Sequence, residues 1–301
     1  MNVFYRSARP YLEFLALLSI FSFGFGETNA LSPEQTHVVI AGLIQSLHKD
    51  PTSAQQAALS LAKLGRSAEV AIPDLVDALH YDEDSVYTAI SDALISIGPA
   101  SLKTLRYALE DPSFIVRRRA VEIVARFGPQ AKPMAPDLVQ LLQDPQPDVH
   151  GAAEKALIQM GDDAIPALSG ALKTNEVGFR NVLLVTLGHC GPKAVPIIVN
   201  LLKKDESPFI RSRAATTLGD AGSTNPQVIQ ALIASLSDME ETVRGSAATA
   251  LGQLGPAAKA AIGPLRSMSE SDHDALARQK AADALVQIST AAKDSLVPQN
   301  K

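Results

Sequence analysis

The residues that could carry chemistry in this 301-residue sequence are two acidic runs, six histidines and one cysteine, Cys190. Adjacent carboxylates at Asp82-Glu83-Asp84 and Asp162-Asp163 have the types needed for general acid–base work or weak cation binding. Both runs fall between helical patterns, with no sign of burial or of a perturbing partner, so they read as solvated turns. His37, His48, His80, His150, His189 and His273 are followed by Val38, Lys49, Tyr81, Gly151, Cys190 and Asp274. There is thus no His-Glu pair, and no two histidines stand three or four residues apart, the spacing that puts metal ligands on one helix face. No nucleophile elbow, phosphate-binding glycine loop or zinc spacing is present. With a single cysteine no intramolecular disulfide can form, and Cys190, in LGHCG near a helix end, reads as a packed thiol. No catalytic residue, cofactor or metal is expected.

Basic residues supply the other pattern. Arg117, Arg118 and Arg119 are consecutive, Arg126 follows near the end of the same segment, Lys132 lies in the next loop, and Arg213 stands close to Arg211. Arginine is enriched at protein–protein hot spots, which makes Arg118, Arg119, Arg126, Lys132 and Arg213 candidate partner-binding residues; the competing reading is a solvated face. Arg117 belongs to a second pattern in which Arg follows Asp by six: Asp111/Arg117, Asp205/Arg211, Asp238/Arg244 and Asp272/Arg278. Asp144 faces His150 at the same spacing, and Arg180 has Thr174 in place of the acid. A carboxylate there can accept from helix N-terminal amides, and the guanidinium can bridge to an Asp of its own or a neighbouring repeat. Recurrence at a fixed period makes this a structural ladder and not a catalytic set.

The elements behind these patterns repeat. Asp238–Gly255 reads DMEETVRGSAATALGQLG, and thirty-three residues upstream Asp205–Gly222 reads DESPFIRSRAATTLGDAG. A closing glycine recurs at Gly65, Gly98, Gly128, Gly161, Gly191, Gly222 and Gly255, spaced by 33, 30, 33, 30, 31 and 33 residues. Such a period signals a stacked array. Each unit predicts two helices. The first, A, starts near a proline (Pro73, Pro136, Pro166, Pro196) that suits a helix start. The second, B, carries an apolar stripe such as Val243, Ala247, Ala250, Leu251 and Leu254. The glycine then ends B, and the uneven period is assigned to insertions in the B-to-A loops. Ser32-Pro33-Glu34-Gln35 has the form of a capping box opening the first A helix, from Val38 to Leu47.

Two antiparallel helices per ~31 residues, Asp then Val-Arg at the A–B junction, and Ala-Leu-Gly closing helix B resemble HEAT repeats, of the short type found in phycobilisome lyase subunits. The resemblance covers about residues 35–289. It implies an all-α, armadillo/HEAT-like α-solenoid of about eight helical hairpins, whose B helices line a concave face. Iron-dependent deoxyhypusine hydroxylases share this architecture but need His-Glu dyads, which are missing here. HEAT-like DNA glycosylases need a basic groove with aromatics.

Composition completes the expectation. The net charge is −5 and Trp is absent, which argues against nucleic-acid binding. Seven of the fourteen Phe and Tyr residues fall in the first twenty-five positions, leaving few to enclose a planar cofactor. Residues 1–30 have Arg6 and Arg9, a charge-free run from Phe14 to Phe25 and a terminal Thr28-Asn29-Ala30, the pattern of a cleaved signal peptide. That run is shorter than the ~20 residues of a membrane span. The reading is therefore residues 1–30 as signal peptide, 31–290 as solenoid and 291–301 as polar tail. The function read from it is a non-catalytic, exported (periplasmic or secreted), monomeric scaffold that binds a protein partner through its B-helix face. An accessory factor, lyase-like enzyme or chaperone acting on a cofactor or envelope polymer is the alternative. Self-association through the apolar Val38–Leu47 helix is a third.

Overall fold

The computed structural model describes residues 32–222 and 224–294, with side chains to residue 289. The signal peptide expected over residues 1–30 and the end of the tail lie outside the described residues. Among the described residues there is no strand, and helices follow one another in pairs. The pairs are α1 (Pro33–Leu47) with α2 (Pro51–Leu64), α3 (Ile72–Asp77) with α4 (Asp84–Ile97), and α5 (Ser101–Ala108) with α6 (Phe114–Arg126). Next come α7 (Ala135–Gln140) with α8 (Pro147–Met160), α9 (Ile165–Ala171) with α10 (Val177–His189), and α11 (Val195–Lys204) with α12 (Pro208–Asp220). The last two are α13 (Pro226–Ser235) with α14 (Glu241–Gln253) and α15 (Ile262–Ser271) with α16 (Ala275–Asp294). This is the HEAT/armadillo type of α-solenoid.

The local chemistry explains the boundaries. At the start of α1 the Ser32 hydroxyl accepts from the Gln35 amide at 3.2 Å and the Gln35 side chain accepts from the Ser32 amide at 2.9 Å, so both orphan donors are satisfied. The B helices end at glycines with positive φ, from 54° at Gly65 to 113° at Gly191, a region closed to most side chains. The B-to-A connections are not simple loops. After Gly65, Gly128 and Gly255 the chain winds into seven-residue 3-10 segments, whereas Gly161–Asp163 and Pro192–Ala194 are three residues long. In a 3-10 segment residues three apart eclipse, and this buries Ala68 with Ala71, Ala131 with Met134 and Ala258 with Ala261. The inserted residues thus add core instead of slack. Helix α16 runs to Asp294, past the boundary expected at residue 290, and Ile288 near its end is 1% exposed.

The described residues pack as two compact units, one running to residue 137 together with residues 146–152, the other of residues 138–145 together with those from 153 onward. In the first, the apolar side of α1 (Val39, Ile40, Leu43, Leu47) faces inward, leaving Val38 half exposed. Leu43, Ala57, Ser46, Gln56 and Ser60 line a shallow depression between α1 and α2. In the second unit, Val243, Ala247, Ala250, Leu251 and Leu254 are all buried. Small residues let its B helices approach closely. A Cβ placed on Gly219 would lie 2.8 Å from the Ala250 Cβ, and one on Gly252 would lie 3.0 Å from the Ala284 Cα.

Candidate functional site

The ladder is the most regular polar feature of the molecule. In α14, Arg244 Nη1 donates to the carbonyls of Asp238 (2.9 Å) and Met239 (3.0 Å) in its own A–B turn. Its Nε and Nη2 fork onto the Asp272 carboxylate of the following repeat at 2.7 and 2.8 Å. Arg211 repeats the arrangement on Asp205, Glu206 and the Asp238 carboxylate. Arg180, 4% exposed, donates to the Thr174 carbonyl and pairs with Asp205 at 3.2 Å. Each Asp also accepts from an amide two residues on, as at Ser207, Glu240 and Asp274. Each of these guanidinium groups therefore caps one turn and clamps the next, Arg211 and Arg244 in the bidentate geometry that gives the strongest ion pairs and Arg180 through a single Nη2 hydrogen bond to the Asp205 carboxylate. The Arg211 and Arg244 hydrogen bonds hold Asp238 and Asp272 below the usual carboxylate range, against an opposing effect of burial. At the array's other members, Arg117 Nη1 donates to Asp111 and Pro112, and Arg278 Nη1 to Asp272 and His273. Asp144 and His150 are each engaged in interactions of their own.

The first full repeat lacks the ladder arginine, having Tyr87 in its place, and the structure compensates. Arg119, two residues past the ladder position of the next repeat, reaches back instead. Its Nη1 donates to the carbonyls of Leu79 (2.9 Å) and Tyr81, and its Nη2 to that of Asp82 at 3.2 Å. Tyr81 and Asp82 stand six and five residues before Tyr87, the offsets that Arg117, Arg211, Arg244 and Arg278 cap in their own repeats. The guanidinium also stacks over the Tyr87 ring, 5.2 Å from its centroid. Arg119 is 3% exposed, which corrects its assignment as a partner-binding residue: its donors are turned into the fold.

The neighbouring arginines are tied down on the surface. Arg118 pairs with Glu122 at 2.9 Å, and Glu122 accepts from the Tyr87 hydroxyl at 2.8 Å. Burial first, then that hydrogen bond, push the Tyr87 hydroxyl up from its ordinary value. Arg126 pairs with Asp92 at 2.7 Å and donates to the Ser91 hydroxyl. The charge that looks concentrated in the sequence is thus largely matched by Glu122 and Asp92. Arg213 and Lys132 are exposed, and Lys132 makes an interaction of its own.

The acidic runs lie on the surface and the cysteine inside. Asp162 pairs with Lys193 across 2.8 Å of exposed surface, and Asp84 is almost wholly exposed. Cys190 is 5% exposed, with its sulfur 3.2 Å from the Thr186 carbonyl, and burial pushes its thiol up to about 11.

Charge alone does not reveal a row of apolar residues. In the second unit, Val177, Phe209, Met239 and Leu276 are exposed by 38, 56, 91 and 62%, each at the junction between an A and a B helix. They stand two to five residues before Arg180, Arg211, Arg244 and Arg278, so the ladder clamps set their turns side by side. The sequence carried the signal, a large apolar residue repeated near the start of each B helix on the solvent side of the stripe.

Several known proteins resemble this chain. A HEAT repeat-containing taxis protein of Halobacterium salinarum is 43% identical over 56 residues, which is 19% of this chain and 14% of that protein's length. Among solved structures, Kap121p bound to Nup53p aligns with a TM-score of 0.54 at 13% identity, over 88% of this chain and 36% of that one, a likeness of fold. The complex of CpcE and CpcF of phycocyanin lyase from Nostoc sp. PCC7120 aligns with a TM-score of 0.43 at 23% identity, over 50% of this chain and 98% of that one. Residues 102–187, 179–241 and 229–298 match the HEAT repeats family. With that match running from residue 102 to 298, this chain belongs to the HEAT repeat family.

Proposed function

We propose that this chain is a non-catalytic scaffold that binds a protein partner. The observation that carries the reading is the ladder: successive A–B turns are locked to one another by guanidinium clamps, so side chains from several repeats stand in fixed register before anything binds. Little ordering cost then opposes association, and stacked repeats offer an extended surface of the kind solenoids use for recognition. Arg118, Arg126, Lys132 and Arg213 are the remaining basic contact candidates, with Arg118 and Arg126 needing to exchange an internal carboxylate for one of the partner's. The compartment follows from residues 1–30, whose charged start, apolar run and small-residue end suit export and cleavage after Ala30. The exported chain acts as a monomer with no nucleic acid bound.

Affinity capture with the full-length chain, as its own cell processes it, tests the reading. A protein retained in stoichiometric amount, which binds again when both components are purified, is the expected result. Retention of no protein, together with consumption of a small molecule by the purified chain, would overturn it in favour of an accessory enzyme.

A further inference from the structure

Single exposed apolar side chains are ordinary on a protein surface. The row in the second unit differs because it recurs at successive A–B junctions, within five residues of each ladder arginine. Val177, Phe209, Met239 and Leu276 come from four successive A–B turns, each held against the next by an Arg–Asp pair of 3.2 Å or less. With packed helices ~8–10 Å apart, four turns span roughly 30 Å, the length of about nine residues of extended chain.

Charge along the row is uneven, and that selects the occupant. Lys203 and Lys204 end α11 beside the Phe209 turn. The last two turns are acidic. A depression of about 550 Å³ opens there beside Met239 and is lined by Glu241, Arg244, Asp272, His273 and Asp274. Arg244 is matched by Asp272, and Asp238 by Arg211. Glu240, Glu241 and Asp274 remain, three acids against Arg278, whose Nη1 points at the Asp272 and His273 carbonyls, and Lys280, whose side chain lies beside Gly245. The Asp274 carboxylate accepts from the Ala277 amide. An apolar row ending in a net negative depression complements a chain that alternates apolar and basic side chains.

We propose that the turn edge of the second unit, from Val177 to Leu276, docks an extended peptide segment in which apolar residues pack on Phe209, Met239 and Leu276 while a lysine or arginine enters the depression beside Glu241 and Asp274. This rests on the scaffold reading above and names the surface and the chemistry of the partner. An anionic lipid surface does not fit, because these carboxylates would face its headgroups.

The test is fluorescence anisotropy with the full-length chain and a labelled peptide of about ten alternating leucines and lysines. Binding to this peptide is expected, weakened roughly tenfold or more by Met239→Glu with Leu276→Glu. Both side chains are largely exposed, so the variant should keep its helical circular dichroism and its denaturation midpoint. Val70→Glu, at an exposed apolar position outside the row, should bind as the parent does. The proposal is overturned if the peptide does not bind, if a serine–lysine or leucine–glutamate peptide binds equally well, if the double variant binds unchanged, or if Val70→Glu is as damaging. Preference for vesicles of anionic lipid over the peptide would also overturn it. If cellular capture yields a partner that the double variant retains, the turn edge is wrong while the scaffold stands. If the peptide binds but capture never retains a protein, the scaffold reading fails.

Discussion

Tyr87 occupies the position at which other repeats carry Arg117, Arg180, Arg211, Arg244 or Arg278, and Arg119 supplies the missing guanidinium from one repeat further on. Removing it should leave the carbonyl of buried Leu79 and the turn carbonyls of Tyr81 and Asp82 without their charged donor, and Arg119→Ala is expected to lower stability by about 3 kcal/mol in urea denaturation. Adding Tyr87→Arg in the same chain should recover most of that loss, since an arginine there lies six residues from Tyr81, as Arg244 lies from Asp238. A double variant no more stable than Arg119→Ala would refute the compensation. The Asp–Arg spacing is legible in the sequence, and so is the substitution at Tyr87. What could not be read is that Arg119 points backward into the preceding repeat, because spacing along one helix does not say which neighbour a long side chain reaches. Cys190 allows a second check at this scale. With burial pushing its thiol up to about 11 and 5% of its surface exposed, it should react with a disulfide reagent at pH 8 only as fast as the fold opens. Rapid stoichiometric labelling of the folded chain would contradict its packing.

Among the elements, the helix pairs and their closing glycines were readable because the physics is local: an apolar period, a proline at a helix start, and a residue free to take positive φ at the end. The 3-10 segments after Gly65, Gly128 and Gly255 were not, since burial of Ala68 or Ala258 depends on the helices packed around them. Close approach of the B helices is the other packing effect. Gly252→Ala would press a Cβ to within 3.0 Å of the Ala284 backbone and should destabilise by about 1–3 kcal/mol. Gly151→Ala, inside α8 with nothing within 4 Å, should instead stabilise by about 0.5–1 kcal/mol through helix propensity. Thermal denaturation of the two variants separates packing from propensity, and equal shifts would contradict the close approach. The clamps between turns predict a pH dependence. Asp238 and Asp272 are held below the carboxylate value of 3.8, chiefly by Arg211 and Arg244, so their contribution is fully present above that value. It is lost as the pH falls below 3.8 through the lowered folded values. Urea midpoints should therefore decline more steeply below about pH 4 in the parent than in an Arg211→Leu, Arg244→Leu variant.

Across the whole molecule, repetition decides what the surface presents. One ion-pair motif, repeated between the successive A–B turns of Arg180, Arg211 and Arg244, fixes the register of side chains beside it, and the residues left exposed become a surface by repetition alone. This is why counting charges points first to Arg118, Arg119 and Arg126. They are prominent in the sequence, yet their contacts with Glu122, the Tyr81 turn and Asp92 spend their donors inside the first unit. The apolar row stands out only once the turns are aligned. That this alignment serves to hold another protein is tested by affinity capture with the full-length chain, then sedimentation of the purified pair. The expected result is a protein retained in a defined stoichiometry, a complex heavier than the chain alone, and its loss when Met239 and Leu276 become glutamate. A chain that sediments alone at every concentration, retains no protein and instead transforms a small molecule would contradict the scaffold.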